Sequence, residues 1–290
     1  MRYERKDVKN VGDTEIRVWD SLTDLIKTCD DTDPRRFEGH DHTGKHASER
    51  WVGRKFNSHA ELYAALNQPW EHGLNTMERM LREIGGAELP TPTSRRRRTC
   101  YSECNGDELD YDRLRSGRDY WRTSRRQNTK GPATLTLIVD VCASASVSHT
   151  DILWRGAAAV ALAKLLEAAG YRVELWAVCY TGGCYHVRGQ GDVNAFVGLR
   201  LKECSEPIDA STLINAVSGW AFRTLWFQAL SQGKLPIDAG LGYCRHPAKE
   251  LLEEISHDEK RVLIGDAWSH EDAVELIRET LSNLTTNAKE

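Results

Sequence analysis

What this 290-residue sequence lacks sets its first limits. No apolar run approaches the roughly 20 residues that span a bilayer, and the opening Met1-Arg-Tyr-Glu-Arg-Lys has none of the apolar character of an export signal. A cytoplasmic protein with no membrane partner is therefore expected. The eight cysteines, at positions 29, 100, 104, 142, 179, 184, 204 and 244, include no CxxC pair of zinc or thioredoxin type. Reduced thiols are the simpler expectation. A G-x-S-x-G nucleophile elbow is missing as well, so a Ser-His-Asp hydrolase is not indicated. No internal repeat is evident.

What is present is enough for a sizeable core, since 40% of the residues are hydrophobic. The net charge of −4 conceals an uneven distribution. Residues 1–130 carry 25 Lys and Arg against 23 Asp and Glu, a surplus of +2, whereas residues 131–290 carry 14 against 20, a deficit of −6. Within the first part, residues 91–130 hold 11 basic and 6 acidic side chains. These shifts suggest a mainly helical N-terminal region (1–90), an arginine-rich linker segment (91–131) and an α/β domain (132–290).

The α/β domain is built around residues 134–181. Leu135-Thr-Leu-Ile-Val139 is β-branched and almost wholly apolar, as a strand buried on both faces must be, and it ends on Asp140. Ser148-His-Thr-Asp151 reads as a helix cap, and a helix rich in Gly156 and alanine follows to about Ala169. Gly170 closes it before a second strand over 172–180, which completes a βαβ unit. Weaker strands are expected at 184–188 and 198–203. Asp209-Ala-Ser-Thr212 precedes a helix containing Leu213, Ile214, Val217, Trp220, Leu225 and Phe227. Arg261-Val-Leu-Ile-Gly-Asp266 repeats the pattern of an apolar strand ending in a carboxylate, and Ser269 to Asp272 cap the last helix.

Upstream, residues 16–19 suggest a short strand, and Asp20 or Ser21 a cap for a helix through Thr28. Ser58-His-Ala-Glu61 has capping-box form, and Leu74, Met77, Leu81 and Ile84 make one stripe of an amphipathic helix. Between these, His40, His42 and His46 lie in a polar stretch. Several imidazoles near one another suit a borderline transition ion, and a solvated loop is the plainer reading.

Arg95, Arg96, Arg97 and Arg98, followed by Arg122, Arg125 and Arg126 among aromatics, have the chemistry of a nucleic-acid contact: guanidinium forks grip phosphates and aromatic rings stack bases. Asp107, Glu108, Asp110 and Asp112 lie in the same segment and oppose that reading. At the carboxyl ends of the expected parallel strands, Asp140 with Ser144 and Ser146, then Ser211 with Thr212, then Asp266, offer hard oxygen donors of the kind Mg²⁺ or Mn²⁺ takes. Taken singly, each of these residues is an ordinary cap or turn former.

With those residues in view, the sequence resembles a von Willebrand factor A-type domain over roughly 132–286. Asp140-Val-Cys142-Ala-Ser144 resembles the D-x-S-x-S of a metal-ion-dependent adhesion site, Asp209-Ala-Ser211-Thr212 its threonine loop, and Gly265-Asp266 its final aspartate. Cys142 departs from the pattern, and a thiol is a poor ligand for Mg²⁺. The resemblance implies a Rossmann-like, mostly parallel sheet flanked by helices, and a protein-interaction module that contacts a partner protein through the metal. The chain is also similar to an uncharacterised group of phage and bacterial proteins, through Asp151-Ile-Leu-Trp-Arg-Gly-Ala-Ala-Ala159 and Ser211-Thr-Leu-Ile-Asn-Ala-Val-Ser-Gly-Trp220. That likeness implies kinship and supplies no activity; the expectation is a part in a phage or bacterial multi-protein complex, in the bacterial host's cytoplasm if phage-encoded. The alternative is a metal-dependent nuclease resembling the PIN/NYN type, with Asp140 and Asp266 on the metal, Asp192, Asp209 and Asp272 as possible additions, and the arginines on nucleic acid. A haloacid-dehalogenase-like phosphatase is less indicated, because Asp140-Val-Cys142 lacks that family's second aspartate.

Overall fold

The computed structural model describes residues 8–11, 14–31, 42–85, 89, 93–130, 133–182, 194–231, 243–256 and 260–287. The chain opens with strands β1 (Val8–Val11) and β2 (Thr14–Trp19), followed by helices α1 (Leu22–Asp30), α2 (Glu49–Val52), α3 (His59–Leu66) and α4 (Glu71–Ile84). The arginine-rich segment forms β3 (Thr93–Ser102), β4 (Glu108–Leu109), α5 (Tyr111–Arg115) and β5 (Trp121–Lys130). Then come β6 (Thr134–Asp140), α6 (His149–Ala168), β7 (Arg172–Gly182) and β8 (Asn194–Lys202). The rest comprises α7 (Ala210–Ala216), α8 (Gly219–Ala221), α9 (Phe227–Ser231), β9 (Tyr243–Cys244), α10 (Lys249–Glu253), β10 (Arg261–Ile264) and α11 (His270–Asn287).

The fold is mixed α/β. Its main sheet has the order β1-β2-β8-β7-β6-β10, with β9 added at the end of β7. β7, β6 and the edge strand β10 run parallel, β8 lies antiparallel to β7, and β2 is parallel to β8. The alternation of β6 decides which side chains meet which layer. Leu135, Leu137 and Val139 enter the larger core, among helices α3, α4, α6, α7 and α11, while Ile138 joins a smaller cluster with Trp176, Phe196, Leu251 and Ile255 under α10. Both faces are thus covered, which is why β6 reads as a continuous apolar run rather than an alternating one. No described helix is long and apolar enough to cross a membrane.

Local signals place the helices well. Ser21 caps α1, and Ser58 caps α3 by accepting from the Glu61 amide. The Glu61 carboxylate reaches one residue beyond the expected capping box, to the Asn57 amide at 2.8 Å. Ser148 and Asp151 form a complete box on α6, and Ser269 and Asp272 do the same for α11. Three expectations differ from what is found. The region expected to be a helical prelude contributes β2 to the main sheet, and its Leu25, Leu62 and Met77 share one core with Leu137 and Ala157. Residues expected as a linker form a separate antiparallel sheet in the order β3-β5-β4. The helix expected across 213–227 is broken, because Ser218 accepts from Ala221, donates to the Asn215 carbonyl and so restarts the chain at α8. A π-turn over Phe222–Trp226 then carries it into α9. The strand expected at 184–188 lies outside the described residues.

Candidate functional site

β6 and β10 are adjacent and parallel, with Ile264 level with Val139 in the register, so both strands finish at the same edge of the sheet. Asp140 is the last residue of β6 and is only 3% exposed. Its Oδ1 accepts the backbone N–H of Cys142 at 2.9 Å, which closes an Asx turn and steers the chain off the sheet. Two residues beyond β10, Asp266 adopts φ 40°, in the left-handed region, although Gly265 stands beside it. Aspartate tolerates that region better than most residues, yet a carboxylate stands where glycine would rest without strain.

The two carboxylates meet over one imidazole. β9 pairs with the end of β7, Thr181 opposite Cys244, and Arg245 donates its amide to the Tyr180 carbonyl at 3.0 Å. That strap carries His246 across the edge. Its Nδ1 stands 3.9 Å from Asp140 Oδ2 and its Nε2 3.8 Å from Asp266 Oδ2, ion-pair separations longer than hydrogen bonds. His246 and Asp266 are open to solvent, while Asp140 lies beneath them. Burial pushes the Asp140 carboxyl above its usual range and Asp266 adds to that, against the opposing pull of Arg155, the Cys142 amide and His246.

Beneath the turn is a cluster the sequence did not announce. Arg155, 1% exposed within an otherwise apolar stretch of α6, donates to the Cys142 carbonyl at 2.7 Å and lies over the Trp268 ring at 4.5 Å. Its Nε has no partner among the described residues. The Cys142 thiol donates to the Tyr180 carbonyl at 3.4 Å and touches the thiols of Cys179 and Cys244. The hydrogen bond with Cys179, together with burial, holds the Cys142 thiol well above its usual range, so it is neutral and poorly nucleophilic. Cys142 is a packed core group, not a hydroxyl surrogate facing an ion.

The predicted hydroxyl ligands are occupied locally. Ser144 and Ser146 face each other at 3.2 Å. Their loop is held by its backbone: Arg223, in the π-turn, donates to the carbonyls of Ser144, Val147 and Trp51, and the Trp51 indole donates to the Ala145 carbonyl at 3.0 Å. Thr212 donates its hydroxyl to Asp209 at 2.7 Å, and Asp209 accepts the amides of Ser211 and Thr212 as the N-cap of α7. Of the six proposed oxygen ligands, the structure therefore joins Asp140 and Asp266 and places an imidazole between them. Among the described residues no group of three or more His, Cys, Asp or Glu side chains is arranged to hold a metal. For the Mg²⁺ or Mn²⁺ site outlined in the sequence, Asp140 and Asp266 are the carboxylates this edge would offer, while the hydroxyls of Ser144, Ser146 and Thr212 make hydrogen bonds within their own loops. Of the possible histidine ligands, His42 packs edge-on to Phe227, His46 is exposed, and His40 lies outside the described residues, as does Asp192.

His246, Arg155, Arg223 and Trp51 are the site residues that sequence reasoning missed. Arg155 alone left a trace, as a lone charge inside the apolar run 152–163. For His246 there was none, because what recruits it is the pairing of β9 with β7.

Residues 6–288 match the family model described as a domain of unknown function (DUF7192). No curated protein and no solved structure matches the chain.

Proposed function

We propose that this chain, which belongs to the DUF7192 family, is a partner-binding module of von Willebrand factor A-like fold that engages another protein at the carboxyl edge of β6 and β10. The observation that carries the reading is the Asp140–His246–Asp266 constellation, set where two neighbouring parallel strands end. In open α/β sheets that edge is the usual place for a ligand, since loops and helix N-termini converge there. The parallel β6–β10 pair, with an aspartate at or just past each end, supports the fold assignment.

The exposed members, Asp266 and His246, would form the contact, and Asp140 would act from behind by keeping a negative potential on the imidazole. Their complement is a basic side chain of the partner, above all an arginine whose fork can take a carboxylate through two hydrogen bonds. A nuclease of PIN/NYN type draws less support, because that chemistry wants several carboxylates at one point and the described residues bring two.

The test is affinity capture with cross-linking from the cells that encode the protein, using wild type, Asp266→Asn and His246→Ala. The expectation is a captured protein whose cross-links fall around residues 243–246 and 265–268, and a loss of roughly 30-fold in affinity in Asp266→Asn, the equivalent of about 2 kcal/mol for a charge pair desolvated at an interface. Chelator should leave capture unchanged. Full capture by both variants would remove the edge from consideration, and loss on chelation would put a divalent cation back into the contact.

A further inference from the structure

The arginine-rich segment forms a sheet of its own, and its register holds information that the linear sequence does not. Over ten consecutive cross-strand pairs, from Thr93 opposite Lys130 to Ser102 opposite Trp121, β3 and β5 form an unbroken antiparallel ribbon. The two strands together contain seven arginines and one lysine, with no aspartate or glutamate. Arg97 lies directly opposite Arg126, and Arg98 directly opposite Arg125. Like charges in opposed positions destabilise a ladder, so two adjacent Arg–Arg pairs are a local cost that only a polyanion would turn into a gain.

Register also places Glu108, one of the acidic residues of this segment. Glu108 of β4 is opposite Arg122 and pairs with it at 3.7 Å, at the end of the ribbon near Trp121. The block formed by Arg95 to Arg98 with Arg125 and Arg126 starts three residues further along β5. At about 3.3 Å per residue, the midpoint of Arg125 and Arg126 is roughly 12 Å from Arg122. The Debye length at physiological salt is about 8 Å, so Glu108 lies beyond one screening length of that midpoint along β5. Alternation then places Arg95, Arg97 and Arg126 on one face of the ribbon and Arg96, Arg98 and Arg125 on the other. Cations on both faces suit a ligand that surrounds the ribbon with phosphate on two sides.

We infer that the β3–β5 ribbon is a binding arm for double-stranded DNA, entering the major groove and contacting the phosphates of both strands. Ten residues span about 33 Å, close to the roughly 34 Å of one duplex turn. The major groove of B-form DNA, about 12 Å wide, admits a two-stranded ribbon, whereas the deep and narrow major groove of A-form RNA does not. Because the contacts are arginine to phosphate, binding is independent of sequence and steeply dependent on salt.

The experiment is fluorescence anisotropy with the full chain and a labelled duplex of about two turns, titrated from low to physiological salt. Wild type is expected to bind with an affinity that falls linearly on a double-logarithmic plot against salt. Arg97→Ala/Arg126→Ala and Arg98→Ala/Arg125→Ala should each make that slope shallower by about 1.8, at roughly 0.9 per lost phosphate contact. Both changes remove an opposed like-charge pair, so the ribbon should not be weakened by them. Arg97→Lys/Arg126→Lys, which keeps the charge, should retain the wild-type slope and so separates phosphate contact from a loss of folding. The inference fails if wild type does not bind duplex DNA at low salt, if the alanine variants keep the full slope, or if A-form duplex RNA or single strands bind more tightly than the DNA duplex.

Discussion

Asp140 carries its carboxylate where water scarcely reaches, and the consequence is a definite pH signature. Its folded pKa is raised, by burial first, so the folded state prefers the protonated form more than the unfolded chain does. Below the ordinary carboxylate pKa of about 3.9 both states are protonated and the residue is neutral for stability; as pH rises through the folded value the ionised group becomes a cost to the fold. Asp140→Asn keeps the oxygen that accepts the Cys142 amide and removes the charge. Its melting temperature should exceed that of wild type near pH 7, and the difference should shrink toward zero as pH falls below about 4. Thermal melts followed by circular dichroism across that range decide the matter. A variant less stable than wild type at neutral pH would mean that Arg155 and His246 overcome the desolvation of the carboxylate.

At the scale of the element, α6 shows how closely a helix can be drawn onto its neighbours. Of its twenty residues, twelve are buried, most of them alanine, leucine or glycine. Gly156 packs against the C-terminal end of α7, and a Cβ at that position would be driven into the Val217 carbonyl oxygen and its side chain. Helix propensity alone makes Gly→Ala favourable by about 1 kcal/mol in a helix interior. Here the obstacle is backbone, which cannot rotate away, and overpacking of this kind costs about 1 to 3 kcal/mol. The clash should win, and Gly156→Ala should be less stable by about 1 kcal/mol net in denaturant unfolding. A stabilised variant would show that α6 and α7 have room to separate. The loop after β6 depends on the same region, since the broken helix brings Arg223 to the carbonyls of Ser144, Val147 and Trp51.

For the whole molecule, the division between a helical prelude and an α/β domain does not match the packing. β2 adds to the sheet beside β8, and the side chains of α3 and α4 complete the core under α6 and α7. The buried Arg17 donates to the Ala229 and Leu230 carbonyls in α9 and pairs with Glu15 at 2.9 Å, tying β2 to a segment more than two hundred residues later. A fragment of residues 132–290 would expose the β8 edge and the apolar face that α3 and α4 cover, which favours association over folding. It should show no cooperative unfolding transition, whereas the full chain should unfold with one dominant transition. A fragment that melts cooperatively and stays monomeric would restore the two-domain picture.

Sequence by itself determined whatever is decided within a few residues. Ser21, Ser58, Ser148 and Ser269 each satisfy an amide three positions ahead, so their helices start where the capping residues stand. The apolar run before Asp140 reads as a strand covered on both faces, and the two aspartates that follow such runs do fall together at one edge of the sheet. What tertiary structure alone decided depends on partners distant in the chain. His246 joins Asp140 and Asp266 because β9 pairs with β7, while the serines and threonine that looked like ligands found nearer acceptors. The acidic and basic residues of 91–130 are interleaved along the chain, yet cross-strand register concentrates the arginines in one block of the ribbon and pairs Glu108 with Arg122 at its end. Periodicity and capping are short-range and legible in a linear string; strand register and burial are set by the core as a whole, which no local pattern contains.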